Sequence, residues 1–323
     1  LTWETNDQWN VGVDFGFLKN RINGTVEFYL QNTKDLLLKR QLPVVSGFSS
    51  VMSNVGSTRN KGIEITLNTR NIMNRNFTWS TDLTFSANKE EIVELYNGKT
   101  DDVGNLWFIG QPIDVYYNYK KIGIWQNTEN DLAEMAKFNE KGANFKPGSI
   151  RLEDVDGDYK ITEEDKQILG SVRPKFVASM VNNFEFKGFD LSVFLYASVG
   201  GLLRNNIEFM EKPGRGNTVK VDYWTSTNPT NAFPRPSVDV EKLDYISTLG
   251  YDKADFLRIR NITFGYTLPE MWSKKVLMDK IRIYLSANNP AIFTNFTGID
   301  PEGANGRTAP SYSTWMFGIN LSM

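Results

Sequence analysis

The regular alternation of apolar and polar residues along nine segments limits what this chain can fold into. In the last segment Trp315, Phe317 and Ile319 share one parity, while Gly318 and Asn320 have the other. Successive side chains of a β-strand point to opposite faces, so each segment predicts a strand with one apolar and one polar face. A bilayer requires apolar side chains outside and every backbone group paired. The sequence therefore predicts an all-β protein, a transmembrane antiparallel β-barrel.

The predicted strands are joined by two kinds of connection. The strands cover residues 7–18, 22–33, 60–72, 77–89, 175–186, 188–199, 256–268, 280–289 and 312–323. Short turns alternate with long connections, which are residues 34–59, 90–174, 200–255 and 290–311. Short periplasmic turns and long external loops are typical of outer-membrane barrels. We therefore expect residues 90–174 to form an extracellular excursion.

The number of crossings is predicted to be odd. Residues 113–125 are strand-like, but Lys120 and Lys121 lie at their centre. A lysine at mid-depth on the lipid face costs about 2–4 kcal/mol, so we expect this stretch to lie outside the membrane. The chain then has nine membrane strands, or eleven if residues 90–174 contain two crossings. In both cases the first and last strands run in the same direction. A closed antiparallel barrel requires an even number, so residues 1–323 are interpreted as the C-terminal part of a larger barrel, with the missing strands N-terminal to Leu1.

Composition argues against most enzyme and nucleic-acid functions. The chain has no Cys and no His, which excludes thiolate nucleophiles, Ser-His-Asp catalysis and His-ligated metals. Its net charge of -2 gives no excess of positive charge of the kind that binds nucleic acid. We expect a protein that is not an enzyme and has no nucleic-acid partner.

One segment within 90–174 has the spacing of a calcium-binding loop. Residues 154–165 place oxygen donors at positions 1, 3, 5, 7, 9 and 12, which are Asp154, Asp156, Asp158, the Lys160 carbonyl, Thr162 and Asp165. Hard oxygen donors at this spacing suit Ca²⁺. Tyr159 replaces the usual turn glycine, and Asp165 replaces a longer Glu. The prediction is a structural Ca²⁺ site that holds the long loop, and the alternative is a solvated acidic turn.

Two further sets of residues are candidates for contact or for the barrel rim. The aromatic residues in the long connections could stack on sugar rings, contact a partner or pack within the loops. They are Trp107, Phe108, Trp125, Tyr223 and Trp224. Arg258 and Arg260 share the sequence parity of Ile262, which predicts that both lie on the lipid-facing side at the external rim, where the strand leaves the lipid. A role in ligand binding is the alternative.

Motifs along essentially the whole chain resemble one family of outer-membrane proteins. They are WETNDQWNVG (3–12), NVG (54–56), NKGIE (60–64), PGSI (147–150), DVDGD (154–158), PKF (174–176), KGFDLS (187–192) and FLRIRNITFGY (256–266). In order and spacing they resemble the C-terminal part of the SusC/RagA-type TonB-dependent transporters of Bacteroidota. The terminal Met323 departs from this pattern, where the family usually has Phe.

The resemblance implies a 22-stranded barrel whose plug domain and TonB-contacting segment lie outside this chain. It also implies TonB-energised import of oligomeric nutrients across the outer membrane, of glycans most often and of peptides in some members, with a SusD-like lipoprotein over the external mouth. The alternatives are an oligopeptide importer of the same family, a passive porin, a surface adhesin on a barrel anchor, and a secreted carbohydrate-binding β-sandwich.

Overall fold

One nine-stranded antiparallel sheet dominates the fold. The computed structural model describes residues 2–42, 44–205, 220–236, 244–303 and 311–323. The strands of this part are β1 (Thr5–Phe17), β2 (Ile22–Lys34), β3 (Leu37–Gln41), β4 (Ser50–Asn54), β5 (Ser57–Met73), β6 (Phe77–Glu94), β7 (Val115–Tyr119), β8 (Lys121–Ile124), β9 (Ile150–Leu152), β10 (Lys166–Ser171), β11 (Phe176–Phe186), β12 (Phe189–Val199), β13 (Leu202–Arg204), β14 (Tyr251–Lys253), β15 (Phe256–Thr267), β16 (Lys280–Thr294) and β17 (Thr314–Ser322). The helices are α1 (Glu129–Glu140) and α2 (Glu270–Ser273), with 3-10 turns at Val44–Ser46, Glu163–Asp165, Ile246–Thr248 and Lys274–Val276.

The nine predicted strands are confirmed as the members of the large sheet. Its order is β1-β2-β5-β6-β11-β12-β15-β16-β17, an up-and-down arrangement in which successive members are neighbours. Strand β6 continues to Glu94 and β16 to Thr294, five residues beyond the predicted ends in each case. Sequence alternation predicts only the part of a strand that has one apolar face. The backbone hydrogen bonds between strands continue beyond that part, so these two strands are longer than predicted. Among the described strands β1 and β17 pair on one side only, so these nine strands form an open sheet.

Strand register separates an apolar outer face from a polar inner face. One outer row across five strands consists of Val13, Val26, Ile65, Phe85 and Ala178. The adjacent inner row consists of Asp14, Thr25, Thr66, Thr84 and Ser179. A one-residue slip in the pairing would move every side chain of a strand to the opposite face. The observed register therefore keeps the apolar residues together on the outer face and the polar residues together on the inner face.

The prediction that Arg258 lies on the lipid-facing side is wrong. In the pairing of β15 with β12, Leu195 is opposite Ile259 and Phe194 is opposite Asn261, which leaves Arg260 as an extra residue. A β-bulge of this kind reverses the alternation on either side of it. Arg258 therefore lies opposite Tyr196 on the inner face, and its side chain is 3% exposed.

Residues with left-handed backbone conformations form the short connection between β1 and β2 and the one between β11 and β12. Between β11 and β12, Lys187 has φ 47° and Gly188 has φ 89°. Positive φ at both central residues of a two-residue hairpin matches the right-handed twist of the strands. At Gly188 an added Cβ would lie 2.9 Å from the Thr267 carbonyl oxygen, so this position also requires glycine for space.

The long connections form a separate layer of small structures at one end of the sheet. Residues 113–125 contain β7 and β8, which pair with β10 and β9 and not with the large sheet, as predicted for this segment. The pairs β3–β4 and β13–β14 form two further hairpin-like sheets. We refer to the described parts of 90–174 and 200–255 as the loop layer. Among the described residues, no helix has the length and hydrophobicity needed to cross a membrane.

Candidate functional site at the long-loop end of the sheet

The first core of the loop layer surrounds Trp125. This side chain is 1% exposed and packs against Phe138 and Phe145, with ring centroids 5.9 and 6.0 Å away. Phe138 is supplied by α1, which begins after Thr128 because the Thr128 hydroxyl accepts a hydrogen bond from the Asp131 N–H. The Arg151 guanidinium lies 4.4 Å from the Trp125 ring centroid, a distance suited to cation–π attraction.

A second core joins the 200–255 connection to the 90–174 connection. It contains Ile124, Ile150, Leu152, Trp224 and Leu249. The Trp224 indole N–H donates to the Gln126 side-chain oxygen at 2.8 Å, so its polar edge is satisfied while the ring is 9% exposed. Long-range contacts of this kind make the loop layer a packed body with its own hydrophobic cores.

The five candidate aromatic residues do not form one contact surface. Phe108, Trp125 and Trp224 are buried, so the expectation that they are exposed for sugar or partner contact is wrong for these three. They stabilise the loop layer instead, which is the packing alternative. Tyr223 is 45% exposed and Trp107 is half-buried, so their contact role stays a prediction.

The calcium-type loop brings three of its predicted ligands together. Carboxylate oxygens of Asp154, Asp156 and Asp158 lie within 4.8 Å of one another. Tyr159 has φ 62°, which is the left-handed conformation that glycine normally supplies at this position. The Asp154 carboxylate accepts hydrogen bonds from the N–H groups of Gly157 and Tyr159, both at 2.9 Å, and these bonds hold the turn. An oxygen-rich cluster of this type suits a hard divalent cation.

Asp165, the fourth predicted carboxylate ligand, is not part of this cluster. The buried Asp165 carboxylate accepts hydrogen bonds from Val155 N–H at 2.8 Å and from Thr162 N–H at 2.7 Å. The Thr162 hydroxyl accepts from the Glu164 N–H at 3.2 Å, as the N-cap of the Glu163–Asp165 turn. Asp165 therefore closes the loop through backbone contacts. Its role as an ion ligand, like that of Thr162 and the Lys160 carbonyl, stays a prediction.

A buried ion cluster attaches the connection after β16 to the inner face. Arg258 lies 2.7 Å from the Asp300 carboxylate and 2.8 Å from that of Glu302, and Glu302 also pairs with Arg260. Burial raises the pKa of Asp300, but hydrogen bonds from Ser311, the Glu302 N–H and Arg258 outweigh it, so this pKa is lowered overall. The sequence analysis did not predict Asp300 and Glu302 as partners. The two arginines Arg258 and Arg260, two positions apart in one strand, were the signal that acidic partners lie nearby.

A cavity of about 840 Å³, lined by polar and apolar residues, lies mostly within the loop layer. Its lining includes Lys121, Asn205, Asp222, Tyr251 and Asp252. The Lys121 ammonium donates to the carbonyl oxygens of Asn231 and Ala232 at 2.8 and 2.6 Å. Burial lowers the pKa of Lys121, and the nearby Asp252 carboxylate only partly offsets this. Opposite charges and hydrogen-bonding groups in one cavity suit a polar ligand.

Comparison with known proteins identifies relatives along almost the whole chain. The sequence profile of the family described as "TonB dependent receptor-like, beta-barrel" matches residues 1–290. TonB-dependent receptor P3 of Formosa agariphila is 32% identical over 99% of this chain and 34% of the relative. TonB-dependent receptor SusC of Bacteroides thetaiotaomicron is 30% identical over 99% of this chain and 32% of the relative. The chain therefore spans about a third of the length of the curated relatives it matches.

Solved structures of the same architecture agree with the sequence comparison. The structure of the RagAB peptide transporter has a TM-score of 0.78 at 25% identity, covering 99% of this chain and 36% of that chain. The RagAB peptide importer in its open-open state has a TM-score of 0.78 at 26% identity, covering 100% of this chain and 35% of that chain.

Proposed function

The chain belongs to the TonB-dependent receptor β-barrel family, and from this premise we propose that it forms the C-terminal part of a TonB-energised importer of oligomeric nutrients. It is an outer-membrane protein and, like its relatives, a transporter-type receptor and not an enzyme. The observation that supports import best is the polar inner row behind an apolar outer row, which the register carries across five neighbouring strands. A wide barrel with such a lumen passes polar solutes.

The first candidate cargo is an oligosaccharide. This proposal draws support from the similarity to SusC and from the exposed Tyr223 in the loop layer, since aromatic rings stack on sugar faces. An oligopeptide is the second candidate, because two structural neighbours are named as peptide transporters or importers. The lining of the cavity includes charged groups of both signs, among them Lys121 and Asp252, and the two free termini of a peptide would require both signs.

The proposed partners are a SusD-like lipoprotein over the loop layer and TonB on the periplasmic side. An external lipoprotein is supported by the size of the loop layer, since ordering long connections has an entropy cost that contacts must offset. The hairpin β3–β4 also exposes apolar residues near its tip, with Phe48 72% and Val51 45% exposed. Surfaces of this kind are suited to a protein partner.

We further propose that the cluster of Asp154, Asp156 and Asp158 binds a structural Ca²⁺ ion. The support is the loop spacing, the grouping of the three carboxylates and the left-handed conformation of Tyr159. The ion would stabilise the turn next to the core around Trp125, because Tyr159 packs against Phe138 with ring centroids 5.5 Å apart.

Uptake by cells that produce the complete protein tests the main proposal. Labelled oligosaccharides and labelled oligopeptides would be supplied to wild-type cells, to a deletion strain, and to wild-type cells treated with a protonophore, which abolishes the energy that TonB transmits. We expect uptake of one cargo class that is lost both on deletion and on loss of the proton gradient. Uptake that continues without the gradient would favour the passive porin, and co-purification of a lipoprotein from detergent extracts would test the partner.

A further inference from the structure

Two lysines lie side by side on the apolar outer face near the long-loop end of the sheet. In the register, Trp9 pairs with Leu30, Leu30 with Lys61, and Lys61 with Lys89. Both lysines are exposed, and they project on the same side as the neighbouring apolar residues. Like charges directly opposite each other destabilise an antiparallel pair, so this arrangement requires a compensating contact.

Carboxylates of the described residues compensate this charge only in part. Lys89 lies 3.6 Å from Glu91, and the same Glu91 carboxylate lies 3.4 Å from Arg59. Lys61 has no ion pair with any residue in the described ranges. Arg59 and Lys89 therefore share one carboxylate while Lys61 has none, so three positive charges face one negative charge and two remain uncompensated. We refer to Arg59, Lys61 and Lys89 as the rim cations.

The rim cations lie at the upper edge of the apolar band. Strand β6 presents Trp79, Leu83, Phe85 and Lys89 on the outer face, and ten residues separate the first from the last. At about 3.3 Å per residue and a tilt of about 40°, this distance corresponds to roughly 25 Å along the membrane normal, the height of a barrel's apolar band. The rim cations are thus at headgroup level, while Phe28, which is 55% exposed, lies below them at the level of the acyl chains.

We propose that the rim cations bind the phosphate of an outer-leaflet glycolipid headgroup. Each lysine ammonium offers three donors and Arg59 a planar group, and charge-assisted bonds from such groups to phosphate oxygens are strong. The apolar surface beneath them accepts the acyl chains of the same molecule, which a free phosphate ion does not have. Simple exposure of the lysine side chains to water is the competing explanation. The inference takes its membrane orientation, with the long connections outside, from the proposed function.

Native mass spectrometry of the complete protein in detergent tests this site. The probes are diphosphorylated lipid A, the same lipid after enzymatic removal of its phosphates, and inorganic phosphate. The test variant carries Lys61→Gln and Lys89→Gln. The matched control carries Lys274→Gln and Lys275→Gln, which remove the same charge from exposed residues in the turn between β15 and β16, at the opposite end of the sheet.

We expect the wild type and the control to retain diphosphorylated lipid A, and the test variant to bind it about tenfold more weakly. Dephosphorylated lipid A should bind equally weakly to all three proteins, and inorganic phosphate should not compete at millimolar concentration. Equal lipid A binding by the test variant and the wild type would overturn the proposal, as would equal loss in the control. Thermal unfolding in detergent confirms that each variant is folded. Because uptake is measured separately, a failure here leaves the importer proposal standing.

Discussion

The guanidinium of Arg282 on β16 reaches across β15 to hold Asp190 on β12. Its Nε lies 2.9 Å from Asp190 Oδ1, and its Nη2 lies 2.5 Å from Oδ2. Gly265 lies between them on the inner face, and a Cβ added there would be 2.6 Å from both side chains. The pair therefore links three strands on the polar face, and it depends on the absence of a side chain at residue 265.

Gly265→Val should break this pair. The added side chain would displace Arg282 or Asp190, and we expect a loss of about 1–3 kcal/mol in unfolding free energy from overpacking. Urea unfolding of the complete barrel in detergent measures this loss. Gly12→Ala is the control, because the nearest atom to an added Cβ there is Cγ of the flexible Glu27, at 3.3 Å. An equal loss in both variants would show that the Arg282–Asp190 pair has no special role.

Arginine on the outer face should be far more damaging than arginine on the inner face. Leu83 and Val193 lie in the middle of the outer rows, and Leu83→Arg or Val193→Arg should each cost about 2–4 kcal/mol because the charge enters lipid. Asp82→Arg and Ser192→Arg place the same side chain on the inner face and serve as controls. The measurement is the unfolding free energy, together with the amount of protein in the outer membrane. Similar damage at both parities would contradict the assignment of the faces.

Arg258→Ala should release the connection after β16. Removal of one member of a buried pair costs about 3–5 kcal/mol because the other charge remains buried. We expect faster hydrogen exchange at residues 295–303, measured by mass spectrometry. Lys34→Ala is the control, since its pair with Asp7 is exposed at 3.7 Å and contributes at most about 1 kcal/mol.

The same cluster should respond to acid. Because the pKa of Asp300 is lowered in the folded state, its stabilising contribution is present above the ordinary aspartate pKa and is lost as pH falls through the folded value. Hydrogen exchange at residues 295–303, corrected for intrinsic rates, should therefore rise on acidification in the wild type. In Asp300→Asn it should be raised already at neutral pH and change less. A wild-type profile that does not change with pH would contradict this role.

Calcium should stabilise residues 127–174 through the three clustered aspartates. Asp156→Asn with Asp158→Asn should abolish protection of this segment from protease by millimolar Ca²⁺, because two of the three grouped carboxylates are lost. Glu164→Gln removes a nearby exposed charge outside the cluster and should leave the effect intact. Wild-type protein with identical protection in Ca²⁺ and in chelator would exclude the site.

Trp125→Ala and Tyr223→Ala should separate packing from partner contact. Trp125 is 1% exposed, so its truncation should destabilise the loop layer by about 3–5 kcal/mol. Tyr223 is 45% exposed, and its truncation should leave stability within about 0.5 kcal/mol while weakening lipoprotein or sugar binding. Thermal unfolding and a pull-down from detergent extracts distinguish the two effects. Unchanged binding in Tyr223→Ala would remove this residue from the contact surface.

The sequence alone determined the nine strands and the direction of nearly all their side chains. Each strand contacts lipid on one side and a polar interior on the other, so apolar and polar residues alternate along its sequence with a period of two. This alternation can be read within each segment by itself. It also separated residues 113–125 from the membrane strands, since lysines at mid-depth would be costly. The grouping of Asp154, Asp156 and Asp158 follows from spacing within one short loop, so it too could be predicted locally.

The positions of Arg258 and of the loop aromatics follow from contacts between separate segments, which no local pattern predicts. The bulge at Arg260 adds one residue, and the pairing that creates it depends on β12 and β16, which are distant in sequence. Burial of Trp125 and Trp224 likewise depends on contacts between separate long connections, as in the hydrogen bond from Trp224 to Gln126. Alternation in the sequence predicts which face a side chain occupies only where the strand is regular. A loop has no such periodicity, so the sequence does not predict whether its side chains are buried.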